Sequence, residues 1–277
     1  MSTAVDFIAT DEPCSGIQRL HAGFFGHAYD PHRHETYAIG VTKRGIQAFR
    51  YRGVECASTA GLTIVLHPDE VHDGHAVTPE GFVYNMLYID AALIGEALGE
   101  TTLPFVADAV AEDPALAAAV NEAFEGFPDN FTTLAGAAIT ASVADGLCRG
   151  SGRQLEQRSA HYYGARLDRA REVLDAATDL SATAEDLEAV TGIDRYALAR
   201  AFRARFATSP HRYLVGRRLQ RVKAAIAADV SLAEAAAANG FADQSHMTRH
   251  FKARFGLTPG RYARLLRRSD RSVGADG

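Results

Sequence analysis

The chain has 277 residues, 47% hydrophobic and 23% charged, with three cysteines, no tryptophan and a formal net charge of -5. That length suits two domains, each able to bury a core. No run approaches the roughly 20 apolar residues that a bilayer span needs, and the acidic stretch Met1 to Asp11 does not read as a signal peptide.

The net charge hides an asymmetry. Residues 1–160 carry 9 Lys/Arg against 21 Asp/Glu, and residues 161–277 carry 20 against 13. An acidic half joined to a basic half implies that only the second meets a polyanion, because phosphate attraction depends on local charge. Cys14, Cys56 and Cys148 lack the paired spacing of a zinc site or a disulfide framework, which fits a reducing cytoplasm.

From about Gly16 to Ile89 the pattern is strand-like. Gln18–Phe25, Tyr37–Thr42, Gln47–Tyr51, Leu62–Leu66 and Val83–Ile89 are rich in β-branched and aromatic residues. Turn signals separate them at Asp30-Pro31, Arg44-Gly45, Arg52-Gly53, Ala60-Gly61 and Pro79-Glu80-Gly81. Roughly six to eight short strands at this spacing predict a small antiparallel barrel or jelly roll. Seven of the eleven histidines, His21, His27, His32, His34, His67, His72 and His75, fall in this region. Alternation along an extended chain puts His32 and His34 on one face. His67-Pro-Asp-Glu-Val-His72 follows the Leu62–Leu66 run. His21, His27 and His75 read as surface or strand-pairing residues, and Tyr37, Phe49, Tyr51, Tyr84 and Tyr88 as pocket or core.

Helical period then takes over at Ala91–Leu98, Pro114–Glu125 and Leu134–Leu147. The stripes Leu116, Val120, Phe124 and Leu134, Ala138 suit either packing on the barrel or a subunit interface, so a homodimer is expected among the partners. Arg149-Gly-Ser-Gly152 and the polar run to Ser159 read as a linker.

The tail is written twice. Phe202-Arg-Ala-Arg-Phe206-Ala-Thr-Ser-Pro210-His-Arg-Tyr213 recurs 49 positions later as Phe251-Lys-Ala-Arg-Phe255-Gly-Leu-Thr-Pro259-Gly-Arg-Tyr262. Before each copy stands a capping residue, Thr183 with Asp186 or Ser231 with Glu234, then an apolar run and Gly192 or Gly240 at a position that needs positive φ. Asp194 and Asp243 then start longer helices, and Ser209-Pro210 and Thr258-Pro259 start the next ones. Two tandem helix-turn-helix units follow, joined by one helix over Pro210 to Ala227 that spans about 27 Å at the usual rise. Turning each longer helix by about 100° per residue puts Leu198, Phe202 and Phe206, or Met247, Phe251 and Phe255, inward. Tyr196, Arg200 and Arg203 then lie opposite with Ala199 at the margin, and Ser245, Thr248, Arg249 and Lys252 face out. Arginine can fork onto guanine, whereas Arg203 and Lys252, a turn further on, suit phosphate.

Residues 165–268 resemble the DNA-binding domain of the AraC/XylS family of bacterial transcription regulators. The resemblance rests above all on Ala238-Asn-Gly-Phe-Ala-Asp-Gln-Ser-His-Met-Thr-Arg-His-Phe251 and Thr258-Pro-Gly-Arg-Tyr262. It implies a base-reading face at Tyr196, Ala199 and Arg200 in the first unit and at Gln244, Ser245, Thr248 and Arg249 in the second. It also implies a cupin-like sensor barrel whose mouth is lined by histidines, with His32, His34, His72 and Tyr37 as effector contacts. Three imidazoles there, His32, His34 and His72, are also candidates for a transition metal such as Zn, Fe or Ni. Against the metal-binding cupin pattern, Ala38 and Ile39 stand where a carboxylate is wanted, and Glu70 where glycine is usual.

The expected fold class is therefore α+β in two domains. Residues 1–155 form an antiparallel cupin/jelly-roll-like β-barrel with trailing helices, residues 156–268 an all-α tandem helix-turn-helix domain, and 269–277 a disordered tail. The expected function is sequence-specific binding of double-stranded DNA under control of a small-molecule effector, with RNA polymerase as a further partner and no resident cofactor. The competing class is a metal-dependent cupin oxygenase or isomerase fused to a DNA-binding tail, and a third reading is a constitutive DNA binder whose barrel only dimerises. No Ser/His/Asp set, P-loop or nucleotide fingerprint offers another catalytic centre.

Overall fold

A computed structural model describes residues 5–99, 102–128, 131–153, 163–177, 182–264 and 266. The chain forms two compact units, residues 1–158 and 159–277. The linker expected beyond residue 153 and the tail at 269–277 lie outside the described residues.

The first unit is built on antiparallel strands: β1 (Phe7–Cys14), β2 (Ile17–Phe24), β3 (His27–His32), β4 (Tyr37–Tyr51), β5 (Val54–Thr59), β6 (Thr63–Leu66), β7 (His72–Ala76), β8 (Phe82–Ile89) and the short β9 (Val110–Ala111). One layer runs β1-β2-β8-β4-β6-β9, and a second joins β5, β4, β7 and β3. Strand β4 belongs to both: Ala38–Val41 pairs with β6, and Ile46–Tyr51 with β5. The change of layer falls at a register shift between Thr42 and Arg44. There Arg44-Gly45 is no turn, as the dipeptide suggested, but a bend inside one strand. Gly45 has φ +73°, and a Cβ on it would lie 1.9 Å from the carbonyl oxygen of Gly81, the residue just before β8, so only glycine fits. Asp30-Pro31 likewise lies within β3, where interrupted pairing with β7 tolerates a residue without an N–H. Between the layers Leu20, Phe24, Phe49, Ile64, Leu66, Phe82, Tyr84 and Met86 form the core.

Three helices follow, α1 (Ala91–Leu98), α2 (Pro114–Ala123) and α3 (Thr133–Gly150). Both α1 and α2 pack on α3, and α2 also touches β4 and β8. Leu116, Val120, Leu134 and Ala138 are at most 3% exposed and Phe124 is half-buried, so most of both stripes is taken up by packing within the unit. Arg19 on β2 is 1% exposed. It pairs with Asp11, donates to the carbonyls of Ala123 at 2.7 Å and Pro128 at 3.3 Å, and lies 5.0 Å from the ring centres of Phe127 and Phe131. A buried guanidinium thus ties the first two strands to the end of α2, with its charge matched as burial requires.

The second unit contains α4 (Gly164–Ala176), α5 (Ala184–Thr191), α6 (Arg195–Phe206), α7 (Pro210–Ala227), α8 (Leu232–Ala238) and α9 (Gln244–Phe255). Residues 259–264 are helical too. The expected caps are all present. Thr183 with Asp186 and Ser231 with Glu234 form capping boxes, and the side chains of Asp194, Ser209 and Asp243 accept from the first turns of α6, α7 and α9. Each contributes about 1 kcal/mol. Gly192 and Gly240 take φ of +63° and +70°. Helix α7 packs on α4 and α6, and also on α8 and α9. Leu219, Val222 and Ile226 of α7 close the second core with Phe241, Met247 and Phe251.

Candidate nucleic-acid interface and barrel mouth

Helices α6 and α9 occupy equivalent places in the two helix pairs. Phe202 and Phe251 are both 0% exposed and anchor them. On α9, Gln244, Ser245, Arg249 and Lys252 are exposed and Thr248 half-buried, as the helical rotation predicts. On α6 the expectation needs correction. Arg200 and Arg203 are half-buried, but Tyr196 is 6% and Ala199 2% exposed. The reason is that α6 packs against α4, α5 and α7, and three neighbours cover a wider arc than a single apolar stripe. Two further cations of α6 are engaged within the domain. Arg195 binds Glu185 at 2.7 Å and Glu188 at 2.6 Å, and Arg205 binds Asp168 at 2.7 Å.

Beneath α9 the sequence reading missed a cluster. His246 is 4% exposed and its ring lies 4.5 Å from that of His250 and 5.4 Å from that of Phe241. His211 of α7 faces them together with Arg218, which is 2% exposed. Burial first, then the charges of His250, Arg218, Arg212 and His246, pulls His211 down to about 3. Burial and then His246, Arg249 and Arg218 pull His250 down to about 4. The cue in the sequence was the spacing of His246 and His250, one helical turn apart on the face that carries Met247 and Phe251.

In the first unit His32, His34 and His72 come together at one end of the barrel. His32 pairs with His72 across β3 and β7. The ring of His72 lies 4.4 Å from that of His32 and 4.9 Å from that of His34. All three share one hydrogen-bonding habit. Their Nδ1 atoms lie 2.9 Å from the Asp30 carbonyl, 2.9 Å from the Thr36 carbonyl and 3.0 Å from the Glu70 carbonyl, respectively. A carbonyl can only accept, so each Nδ1 carries the proton and each Nε2 presents a lone pair. His34 Nε2 is buried with no hydrogen-bond partner. Burial above all lowers the pKa of His34 and takes His72 to about 4.

A small cavity adjoins this end, lined by His32 and His72 at its polar side and by Phe49, Tyr84, Met86 and Tyr88 among its walls. Tyr29 and Tyr84 meet there hydroxyl to hydroxyl at 3.0 Å. Tyr37 is not among the lining residues. Its hydroxyl donates to the Pro104 carbonyl at 2.9 Å, because period two turns Ala38 toward the cavity and Tyr37 to the opposite face of β4. Tyr51 and His67 are also structural: the Tyr51 hydroxyl lies 3.0 Å from His67 Nδ1, and His67 Nε2 accepts from the Val106 N–H at 3.0 Å. Tyr29, Gln47 and Asp73 line the cavity and went unnoticed in the sequence. Among the described residues no group of three or more His, Cys, Asp or Glu side chains that could hold a metal ion is found.

Two family models match the chain. Residues 15–140 match an AraC-like ligand binding domain, and residues 187–265 a helix-turn-helix domain. The chain belongs to the AraC family of transcription regulators. The chain is 24% identical over 220 residues to the HTH-type transcriptional regulator YbfI of Bacillus subtilis, covering 78% of this chain and 80% of that one. Among solved structures it is similar to ToxT from Vibrio cholerae, at 11% identity and a TM-score of 0.40 over 92% of this chain and 100% of that one. A probable AraC family regulator from Rhodopseudomonas palustris matches 37% of this chain and 97% of its own at 24% identity and a TM-score of 0.35. In this AraC-family chain no described helix is long and apolar enough to cross a membrane.

Proposed function

We propose that the chain is a one-component regulator whose barrel binds a small molecule and thereby sets how α6 and α9 are presented to DNA. The observation that carries this reading is the pairing of two equivalent basic helices, α6 and α9, on either side of the 18-residue α7. At 1.5 Å per residue α7 is about 27 Å long, which suits two recognition helices entering successive major-groove segments on one face of the duplex. Arg249, Gln244, Ser245 and Thr248 supply groups that hydrogen-bond or touch base edges, Arg200 does so in the first unit, and Arg203 and Lys252 hold phosphates. The acidic charge of residues 1–160 keeps phosphate attraction on the second unit. In a cytoplasmic setting the barrel ligand acts only through a difference in affinity between two arrangements. RNA polymerase, and a second copy of the chain, are natural partners of such a regulator.

Footprinting of the full chain on a selected site tests the reading. Protection of two adjacent major-groove segments, with affinity that changes when one member of a metabolite panel is added, is the expected result. A footprint over one turn, or affinity unmoved by every metabolite, overturns it.

A further inference from the structure

We infer that the barrel mouth grips its ligand by a head group that donates hydrogen bonds and bears no negative charge, such as a phenol hydroxyl or an amine. This deepens the sensing role proposed for the barrel and rests on it. With Nδ1 of His32, His34 and His72 each held against a backbone carbonyl, a neutral ring has only Nε2, an acceptor, left to offer. The two imidazoles among the cavity walls are His32 and His72; His34 Nε2, buried without a hydrogen-bond partner, is not one of them. The cavity lining adds the Asp73 carboxylate and contains no Lys or Arg, so nothing in it compensates an anion. The remaining walls include Phe49, Met86 and Tyr88, an apolar surround in which an uncompensated anion is costly.

Size agrees. The inner cavity encloses about 40 Å³, room for a head group and not for a ring, given that about 150 Å³ holds benzene. An outer groove of about 350 Å³ shares His72 and Asp73 with it and can take the body of the molecule. That groove carries Asp69, Glu70 and Asp73 against Arg50 and Arg52, with Arg52 bound to Glu70 at 3.1 Å, so it too lacks an excess of positive charge.

The test uses the full chain and four single-ring probes of similar size: phenol, benzylamine, toluene and benzoate. By titration calorimetry, phenol and benzylamine should bind about tenfold or more tightly than toluene, with benzoate weakest, the ratio expected for one or two hydrogen bonds to otherwise unmatched acceptors. Imidazole 15N spectra should show His32, His34 and His72 protonated at Nδ1, with the Nε2 signals of His32 and His72 moving when phenol is added. His72→Leu should bring phenol to within about twofold of toluene. Should that variant fail to fold, His32→Leu makes the same comparison. Toluene or benzoate binding as well as phenol, Nε2-protonated rings, or silence from all four probes overturns the inference. The broader sensing role falls only if the metabolite panel leaves DNA affinity unchanged.

Discussion

The two helix-turn-helix units share a frame and differ in what they show to solvent. Phe202 and Phe251 are equally buried, and the capping boxes and glycine turns correspond one to one. Yet α6 turns Tyr196 and Ala199 inward and commits Arg195 and Arg205 to internal carboxylates, while α9 keeps Gln244, Ser245, Arg249 and Lys252 exposed. A duplicated scaffold therefore does not imply a duplicated reading surface. The second unit holds more of the groups that recognise bases, and the histidine cluster against α7 belongs to it alone.

The most severe test of the shared frame is Phe202→Ala beside Phe251→Ala. Each should cost about 3–5 kcal/mol of stability in its own unit, read by denaturant unfolding with hydrogen exchange to resolve the units. Clearly unequal losses would break the equivalence.

Acidification should separate the units next. His211 and His250 are held near 3 and 4, below the ordinary 6.5, so the unfolded chain takes up protons first as pH falls. Their stabilisation is complete above about pH 6.5 and drains away toward pH 4. Exchange protection of α9 should fall over that window while α5 and α6 change little. His250→Phe should flatten the profile; a profile that keeps its slope in this variant would locate the titration elsewhere.

Binding should expose the difference in surface. Arg249→Ala should lose about 1–3 kcal/mol on the selected site and relax base preference at one position, and Arg200→Ala should lose less, because its half-buried helix face offers fewer neighbouring contacts. Equal losses measured by fluorescence anisotropy would contradict the asymmetry. The smallest effect belongs to Lys252→Ala, which should weaken all sequences alike by about 0.5–1 kcal/mol and reduce the salt slope by about 0.9.

At the barrel, the three histidines singled out in the sequence come together and Tyr37 does not join them. His32, His34 and His72 were recognisable from alternation and clustering, and they do converge. Tyr37 was not separable from Ala38 by residue type, since an aromatic side chain suits a pocket and a core equally well. The register of β4 between β6 and β8 decides which of the two looks inward. The dipeptides Arg44-Gly45 and Asp30-Pro31 read as turns because glycine and proline favour turns, but pairing partners on both sides carried the strands through them. Arg19, whose partners at Ala123 and Pro128 are over a hundred residues distant, gave no local sign of its burial.

What the amino-acid order determined by itself was everything that acts within one turn of chain: the repeat, the caps of α5 to α9, the positive-φ glycines and the division of charge. Capping bonds and φ preferences span three or four residues, so they are written where they operate. What only the tertiary structure decided was coverage: that Tyr196 and Ala199 lie inside, that Leu116 and Leu134 are buried within their own unit, and that His72 arrives beside His32 and His34. Burial depends on which distant segments arrive alongside, and no short stretch of sequence contains that information.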